Sequence, residues 1–439
     1  MTGIVPEREE PFVDKPFYRT KLALPYRPSV DCGVLPSPQT SGTKFSGAEA
    51  LAVLLLLCVV STLIGTRFSR SLQGTDFPDF YCAARMVAEG QGHQLYNADA
   101  QRQYQARYAA RVGTLYIHPP FEAPLYLAVA WLPLPRAYWL WTFLNLTFLA
   151  LAARQLTGAL PWNWPVLFAL SITFVPVLLC CIQGQDSLLL LSLIVLGFTS
   201  LRRGNAFAAG CWLGFGLFKF QLILPIALVL ILTQSKPARS SLVKGFVLIA
   251  IALALLSAAL CGWSVFLAYP EFLLHLRQQA FAGVVPQAMA NFRGLMFLLF
   301  HQNQSHLFLA ALFIGSVAAF VKTIAHWNRP CELQTESRLD AFDLAFASTI
   351  LFAVLVSYHL NPHDLSLCLL PIFLIFRRQP TRPASAAQWI SLALLGILFL
   401  PPLHLWALNL GAYALVAIPI LTLFLISSST RRQSTTARN

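Results

Sequence analysis

The sequence predicts an all-α, polytopic integral membrane protein, and three observations support this prediction. Apolar residues make up 57% of the 439 residues. Charged residues make up only 11%, whereas a soluble domain carries about 25%. The mean hydropathy is +0.63. Several apolar runs reach the roughly 20 residues that cross a hydrocarbon core, and such runs satisfy their backbone hydrogen bonds as helices.

The two ends of the chain differ from this apolar body. Residues 1–46 are polar, proline-rich and mixed in charge, which predicts a disordered cytoplasmic tail rather than a signal peptide. Residues 427–439 have a similar composition and predict a second cytoplasmic tail. The membrane domain is therefore expected to cover residues 47–426.

About twelve apolar spans follow one another in this domain. With the N-terminus inside, an even number of spans returns the C-terminus to the inside. Most loops rich in Lys and Arg, including the one with Arg377, then obey the positive-inside rule. Strict alternation places Arg202 outside, so short or re-entrant helices are expected between residues 154 and 235. The spans lie near residues 47–65, 121–134, 137–153, 161–182, 185–201, 206–233, 242–262, 306–325, 342–360, 364–376, 387–403 and 405–426.

The net charge of +13 follows from the basic tails and loops that face anionic lipid, so it does not indicate a nucleic-acid partner. The nine cysteines have no zinc-finger spacing, and six lie in apolar runs, where cysteine acts as a small apolar residue. Neither a disulfide scaffold nor a metal site is predicted.

Two long stretches remain on the outer side, a first outer loop at 66–118 and a second outer loop at 263–305. The first outer loop predicts amphipathic helices that lie along the membrane surface. One of them is expected to start at Asn97, a good N-cap residue. Tyr104 and Tyr108 then lie one turn apart on the same helix face.

The segment "GTDFPDFYCAARMVAEGQGHQLY", which begins at Gly74, places two aspartates at the edge of the membrane. Asp76 can act as a helix cap ahead of Pro78, a residue typical of a first helical turn. Asp79 can be an acid that the helix dipole favours. Each can instead contact a substrate, and the residues alone leave both interpretations open.

Eight of the nine histidines fall at or near the predicted outer face, together with several arginines. Such a surface suits an anionic lipid headgroup, although long side chains also snorkel at interfaces. The densest cluster is "SYHLNPHDL", residues 357–365, with His359, His363 and Asp364. These side chains predict hydrogen bonding to phosphate or sugar. A metal site, which lacks a third ligand at a matching spacing, and a structural loop cap are the alternatives.

Lys219 lies inside an apolar run, where a charge is costly unless it is paired or faces a wet cavity. It is therefore a candidate for binding a donor phosphate, and a structural ion pair is the alternative.

Five segments in order resemble the motifs of glycosyltransferase family 87 over about residues 50–380. They are "DFPDFYCAARMVAEGQGHQLY", "YIHPPFEAPLYLAVAWLPLP", "QGQDSLLLLSLIVLG", "AAGCWLGFGLFKFQLILP" and "SYHLNPHDL". The resemblance implies a GT-C-type glycosyltransferase fold in a prokaryotic inner membrane, with an outward-facing active site. It also implies transfer of a sugar, often mannose, from a polyprenyl-phosphate donor. Asp186, where the family more often has Asn, and His118, inside the Tyr-Pro motif, depart from the family pattern.

In this family an aspartate of the first outer loop acts as the base, and the motif places that role on Asp76 rather than Asp79. An inverting transfer needs one base to deprotonate the acceptor hydroxyl, and a carboxylate suits an oxocarbenium-like transition state. Cations then absorb the charge of the leaving phosphate. No cofactor and no metal are expected.

The predicted site thus has three groups of residues, and its partners are a polyprenyl-phosphate sugar donor, a lipid or glycan acceptor and membrane lipids. The base is Asp76. The candidates for donor phosphate or sugar binding are Gln185, Lys219, Arg293, His359, His363 and Asp364. The candidates for acceptor or loop contacts are Asp79, Tyr81, Tyr116 and His118.

Two other functions compete with this prediction. A transporter or flippase of a lipid-linked anion would carry charges near the middle of the membrane, and only Lys219 favours it. A ligase that joins a lipid and a glycan would also use outer-face His and Arg, but it would not need the D-F-x-x-F-Y pattern of the first outer loop.

Overall fold

The computed structural model describes residues 75–109, 114–278, 285–300, 306–329, 335–379, 383 and 385–428. All regular structure in these ranges is helical, which confirms the predicted all-α class. The predicted tail 1–46, the predicted span 47–65 and all but the first two residues of the tail 427–439 lie outside the described residues.

The described helices run in the following order. They are α1 (Phe77–Ala88), α2 (Ala98–Ala109), α3 (Leu134–Leu156), α4 (Trp164–Thr173), α5 (Val175–Gln183), α6 (Ser187–Arg202), α7 (Ala206–Phe215), α8 (Phe220–Thr233), α9 (Lys236–Cys261), α10 (Val265–Gln278), α11 (Phe292–Phe300), α12 (His306–Trp327), α13 (Thr335–Val356), α14 (Leu369–Arg377), α15 (Ala386–Phe399), α16 (Pro401–Asn409) and α17 (Ala417–Ser427), with one further helical turn at Leu127–Ala130. Short 3₁₀ segments join some of them, among them Ala123–Tyr126, Gly216–Lys219 and Pro362–Cys368.

Four helices among the described residues are long and apolar enough to cross a membrane. They are Ala206–Thr233 (α7 and α8 with the 3₁₀ turn between them), α9, α12 and Arg338–Val356 of α13. Two bent pairs raise the number to six if each pair crosses as one unit: α4 with α5, bent by 77°, and α15 with α16, bent by 64°.

Prolines explain why several predicted spans are broken. The predicted span 121–134 forms the 3₁₀ segment Ala123–Tyr126 and a single helical turn, with Pro124 and Pro133 inside it. Proline removes a backbone donor and clashes with the preceding turn. At the bend between α15 and α16, Leu400 is extended because it precedes Pro401. Hydropathy counts apolar residues and does not detect these interruptions.

Small residues let α7 and α9 approach closely. A Cβ added to Gly210 would lie 2.0 Å from the carbonyl oxygen of Leu242, and one added to Gly245 would lie 2.2 Å from that of Phe207. Such contacts are typical of helix packing in membranes, where small residues bring backbones together. The contact fixes the helix that leads to Lys219.

The two helices of the first outer loop form as the sequence predicts. Asn97 Oδ1 accepts hydrogen bonds from the N–H groups of Asp99 and Ala100, and so caps α2. The hydroxyls of Tyr104 and Tyr108 both donate to the Glu89 carboxylate and join α2 to the end of α1. α1 itself is almost wholly buried against the rest of the protein instead of lying open along a surface.

Helix α6 lies in the core, and its C-terminal end shows where strict alternation of the spans fails. Arg202 Nε donates to Asp343 Oδ1 at 3.1 Å, and Arg377 Nη1 donates to Asp343 Oδ2 at 3.2 Å. Arg202 therefore lies on the same face as Arg377, whereas strict alternation put them on opposite faces. The alternation is wrong because bent and interrupted helices lie between α3 and α9, as the sequence predicted for 154–235.

Candidate active site

Asp76 lies at the start of α1, and the structure contradicts its interpretation as a side-chain cap. Its side chain makes no capping hydrogen bond. Gln185 Nε2 instead donates to Asp76 Oδ2 at 2.7 Å, and the Asp76 N–H donates to Gln183 Oε1 at 3.1 Å. No described residue forms a hydrogen bond or an ion pair with the other carboxylate oxygen of Asp76. The side chain is therefore oriented through one oxygen and is only partly buried.

The turn that presents both glutamines depends on Gly184. Its φ is +66°, a left-handed conformation that glycine adopts without strain. A Cβ at this position would lie 2.5 Å from Phe77 Cβ. Only glycine fits both conditions, so the Gln-Gly-Gln turn can close around the first residues of α1.

Behind Asp76 lies a buried group of charges, here called the Lys219 cluster: Asp186, Ser187, Lys219 and Asp364. Lys219 Nζ lies 3.1 Å from Asp186 Oδ1 and 2.9 Å from Asp364 Oδ1, and its side chain is 3% exposed. Ser187 Oγ donates to Asp364 Oδ1 at 2.7 Å. Lys219 is thus in an ion pair, which is the alternative that the sequence left open.

Gln185 connects the Lys219 cluster to Asp76. Its Oε1 accepts from Lys219 Nζ at 3.4 Å, while its Nε2 donates to Asp76. The side-chain amide of Gln185 therefore holds the partly exposed Asp76 carboxylate at a fixed position relative to the buried Lys219 ammonium.

The segment Ser357–Leu365, here called the late loop, closes one side of the cluster. The Asn361 N–H donates to Asp364 Oδ2 at 2.9 Å, and the two residues form a capping box. His363 Nε2 lies 3.6 Å from Asp364 Oδ1 and has no hydrogen-bond partner although it is buried. His359 is half-buried beside them.

Arg293 of α11 packs on the late loop. Its Nη1 donates to the carbonyl oxygen of Tyr358 at 2.9 Å, and its guanidinium lies 4.0 Å from the centre of the Tyr358 ring. Asn291 Nδ2 donates to the carbonyl oxygen of Ser357 at 2.7 Å. These contacts bring a buried arginine next to His359.

Glu122 is a site residue for which the sequence analysis gave no role. Its side chain is fully buried, and its Oε1 lies 3.0 Å from His118 Nδ1. Burial raises the pKa of Glu122 to about 8. The available signal was an acid inside an apolar run, which is costly unless it has a partner.

The family model of glycosyltransferase family 87 matches residues 116–358, which are 243 of the 439 residues. The chain belongs to glycosyltransferase family 87. No curated protein and no solved structure matches it. It is a membrane glycosyltransferase, and the matched region contains His118, Glu122, Gln185, Lys219 and Arg293.

Asp79, Tyr81 and Tyr116 were predicted to contact the acceptor or the loop. In this family 87 glycosyltransferase they form hydrogen bonds with residues of the first outer loop or of the segment that follows it. Asp79 Oδ1 accepts from Gln105 Nε2 at 3.0 Å, and its Oδ2 accepts from the Thr114 hydroxyl. The Tyr81 hydroxyl donates to the carbonyl oxygen of Leu132 at 2.8 Å. The Tyr116 hydroxyl donates to that of Pro119, also at 2.8 Å. These contacts hold α1, α2 and the segment after them together.

The arrangement of this glycosyltransferase can perform base chemistry at one point. Asp186, Asp364 and Glu122 are fully buried, whereas Asp76 is partly exposed. No group of three or more His, Cys, Asp or Glu side chains in the described ranges is placed to hold one metal ion. Asp76 is therefore the carboxylate of this site that a substrate can reach.

Proposed function

We propose that this family 87 glycosyltransferase moves a hexose, with mannose as the first candidate, from a polyprenyl-phosphate donor to a hydroxyl group of a lipid or glycan acceptor. The reaction takes place on the extracytoplasmic side of an inner membrane. The observation that carries the proposal is Asp76, a partly exposed carboxylate held through one oxygen by Gln185.

The proposed chemistry is a single displacement with inversion. The acceptor hydroxyl gives its proton to Asp76 as its oxygen bonds to the anomeric carbon. The bond from that carbon to the phosphate oxygen breaks, and the phosphate keeps the electron pair. A carboxylate beside the sugar stabilises the positive charge that develops in an oxocarbenium-like transition state.

The negative charge of the leaving phosphate needs cations. Lys219 was a candidate for this role, but two carboxylates already hold its charge. We therefore assign the charge of the phosphate to Arg293, where α11 meets the late loop, and give His359 beside it the role of a neutral hydrogen-bond donor. Gln185 then lies on the sugar side, next to Asp76, whereas His363 and Asp364 are buried in the late loop and support the site from behind.

An apolar groove supports a donor with a lipid tail. The groove has a volume of about 630 Å³ and its walls include Leu228, Phe313, Phe352 and Val356. Val356 directly precedes the late loop, so the groove adjoins the proposed phosphate site. A polyprenyl chain buried there gains roughly 25 cal/mol for each Å² removed from water.

The ion pair of Lys219 does not favour the transporter alternative over a glycosyltransferase. That alternative depended on Lys219 as a charge near the middle of the membrane, and Lys219 is paired with Asp186 and Asp364. A paired and buried ammonium is an expected feature of a polar core inside a membrane protein.

The deciding experiment measures sugar transfer from radiolabelled polyprenyl-phosphate mannose to endogenous lipid or glycan acceptors. Wild type and Asp76→Asn are compared in the same liposomes, with the exposed Asp99→Asn as the matched control. We expect transfer by wild type and by Asp99→Asn, and loss of transfer by Asp76→Asn while the donor still binds.

Two outcomes contradict the proposal. Wild-type transfer rates in Asp76→Asn would show that Asp76 is not the base. If wild type transferred no sugar from several donors but moved labelled donor across the bilayer, the protein would be a transporter of that lipid.

A further inference from the structure

Side chains of other segments bind the main-chain carbonyl groups at the end of α5. The Tyr138 hydroxyl lies 3.2 Å from the carbonyl oxygen of Cys181 and 3.0 Å from that of Ile182. The Tyr126 hydroxyl donates to the carbonyl oxygen of Gly184 at 3.4 Å. The last carbonyl groups of a helix have no partner within the helix, so these side chains satisfy them. The turn after α5 is thereby fixed to its surroundings.

The carbonyl oxygen of Gln185, in the same turn, accepts three hydrogen bonds. Asn145 Nδ2 donates to it at 2.8 Å, and Trp141 Nε1 donates at 3.3 Å. The Cys180 thiol makes a third contact, at 3.4 Å. Asn145 and Trp141 belong to α3 and are almost completely buried. Helix α3 therefore fixes the main chain of Gln185, whose side chain holds Asp76.

Asn145 stands out in α3 because it is a buried amide between two leucines. Its N–H group must face the Gln185 carbonyl oxygen, which can only accept, and this fixes the orientation of the amide. No described residue forms a hydrogen bond with Asn145 Oδ1. A leucine would fill a similar volume without a buried polar atom, so packing alone does not explain the asparagine. The bond to Gln185 does.

The side-chain amide of Gln185 meets one charged group with each of its ends. Its Nε2 donates to Asp76 Oδ2 at 2.7 Å, and its Oε1 accepts from Lys219 Nζ at 3.4 Å. An amide turned by half a rotation would place oxygen against the carboxylate and N–H against the ammonium, and neither pair can form a hydrogen bond. Lys219 therefore sets which end of the amide faces Asp76, whereas α3 sets where the side chain begins.

We propose that Asn145 is a positioning residue for sugar transfer, and that Trp141 assists it. Through the carbonyl group of Gln185 it fixes the direction in which the Gln185 amide holds Asp76 Oδ2, so that Oδ1 is aimed at the acceptor hydroxyl. The inference rests on the proposed function, in which Asp76 is the base. A base works about 2.6–3.2 Å from the atom that gives up the proton, and a shift of about 1 Å can cost 10²-fold in rate. Both α3 residues are buried and act through Gln185.

The test removes donors from the same helix end in different ways. Asn145→Leu and Trp141→Phe each remove one bond to the carbonyl oxygen of Gln185. Tyr138→Phe removes the bonds to the two carbonyl groups before it and leaves those to Gln185 in place, so it is the matched control. Gln185→Leu and the double variant Asn145→Leu/Gln185→Leu complete a double-mutant cycle. Each purified protein is assayed in liposomes with polyprenyl-phosphate mannose and endogenous acceptors for kcat and donor KM, and its Tm is measured.

We expect Asn145→Leu to lower kcat by roughly 10- to 100-fold and to change the donor KM by less than about twofold, because the position of the base matters in the transition state and not for donor binding. Trp141→Phe should lower kcat by roughly 2- to 5-fold, since its bond is longer. Tyr138→Phe should lower Tm but keep kcat within about twofold of wild type. In the Gln185→Leu background, Asn145→Leu should add less than about twofold.

Three results overturn the inference. Wild-type kcat in folded Asn145→Leu excludes the positioning role. Equal losses of kcat in Tyr138→Phe and Asn145→Leu would show that α3 only stabilises the end of α5. A loss that persists in full in the Gln185→Leu background would show that Asn145 does not act through Gln185.

Two further outcomes are also decisive. If Asn145→Leu does not fold, Trp141→Phe takes its place, and an unchanged kcat of that variant overturns the inference. Failure of wild type to transfer sugar from any donor refutes the proposed function and the positioning role with it. Transfer by wild type with an unchanged kcat in the α3 variants refutes the positioning role alone.

Discussion

The two ends of helix α6 carry ion pairs of different character. At its N-terminal end, Asp186 and Ser187 belong to the Lys219 cluster, where two carboxylates share one ammonium. At its C-terminal end, Arg202 belongs to a second group, here called the Asp343 cluster: Arg202, Asp340, Asp343, Arg377 and Arg378. There three guanidinium groups share two carboxylates.

The two clusters differ most in how completely their polar atoms are paired. In the Asp343 cluster, Arg202 and Arg377 also donate to the carbonyl oxygens of Gly158 and Ala159. Beside the Lys219 cluster, both oxygens of Glu122 and Nε2 of His363 are buried without a hydrogen-bond partner. Buried polar groups are normally paired, so unpaired ones require an explanation.

The comparison teaches that charge inside a membrane protein has two uses. The Asp343 cluster joins α6, α13, α14 and the turn after α3, and its bonds are made within the protein. The Lys219 cluster has an excess of acid, a neighbouring carboxylate that is partly exposed, and buried polar atoms beside it without a hydrogen-bond partner. We infer that the first cluster stabilises the fold and that the second supports the proposed site.

The strongest test of this contrast replaces one aspartate with asparagine at each site: Asp76 beside the Lys219 cluster and Asp343 in the Asp343 cluster. Asp76→Asn should lower sugar transfer by about 10²- to 10⁴-fold, the usual contribution of a general base, and should leave Tm nearly unchanged. Asp343→Asn should lower Tm but keep transfer within about threefold of wild type at a temperature where it stays folded. Transfer assays and thermal unfolding of the two purified variants measure both effects.

A large loss of transfer in folded Asp343→Asn would contradict the division into a structural and a functional cluster. An unstable Asp76→Asn variant would also contradict this division, because Asp76 would then be required for folding.

Removing the cation of the Lys219 cluster should cost the most stability. Lys219→Met leaves Asp186 and Asp364 buried without a counter-charge, and breaking a buried ion pair in this way costs about 3–5 kcal/mol. Denaturant unfolding in detergent measures the loss, with the exposed Lys236→Met as the control. Adding Asp364→Asn to Lys219→Met should restore part of the stability, because one unpaired charge is removed. If the double variant were the less stable one, the ion pair would not account for the cost.

These partners also show what the sequence could not reveal. Hydropathy identified Lys219 as a costly charge, but Asp364 lies 145 residues away along the chain and no local pattern joins them. Glu122 fell inside a predicted span because the mean hydropathy of the apolar residues around it outweighs one acid. Hydropathy also does not register that the prolines in this segment interrupt a helix. The contact between Glu122 and His118 could not be predicted without the three-dimensional structure.

Local features were predictable where they depend on neighbouring residues. The start of α2 at Asn97 follows from its side chain, which reaches N–H groups two and three residues ahead. The choice of Asp76 over Asp79 came from the family motif. Asp79 accepts hydrogen bonds through both oxygens within the first outer loop, whereas Asp76 accepts one from Gln185.

The buried carboxyl group of Glu122 should make the stability of the protein depend on pH. The pKa of Glu122 is raised from its ordinary value of 4.5 to about 8 by burial. Its contribution to stability is therefore fully present below about pH 4.5 and is lost as the pH rises through about 8. Glutamine does not titrate, so the Tm of Glu122→Gln relative to wild type should rise by a few degrees from pH 5 to pH 8, corresponding to about 2 kcal/mol.

Thermal unfolding of both proteins across this pH range checks the prediction, and Glu271→Gln serves as the exposed control. A Tm difference between Glu122→Gln and wild type that stays constant with pH would show that Glu122 ionises normally in the folded protein.

The smallest expected effect belongs to a single arginine of the Asp343 cluster. Arg202→Met should cost only about 1–2 kcal/mol, because Asp343 keeps Arg377 at 3.2 Å and is not left as an unpaired charge. Arg377→Met should be similarly mild, since Arg202 remains at 3.1 Å. The double variant Arg202→Met/Arg377→Met should lose more stability than the sum of the two single variants, because only then is the buried carboxylate without a partner.

Denaturant unfolding of the four proteins, with the exposed neighbour Arg203→Met as control, measures this coupling. Strict additivity would mean that the two arginines do not share Asp343 in solution. The cluster would then depend on its backbone contacts with Gly158 and Ala159 rather than on its charges.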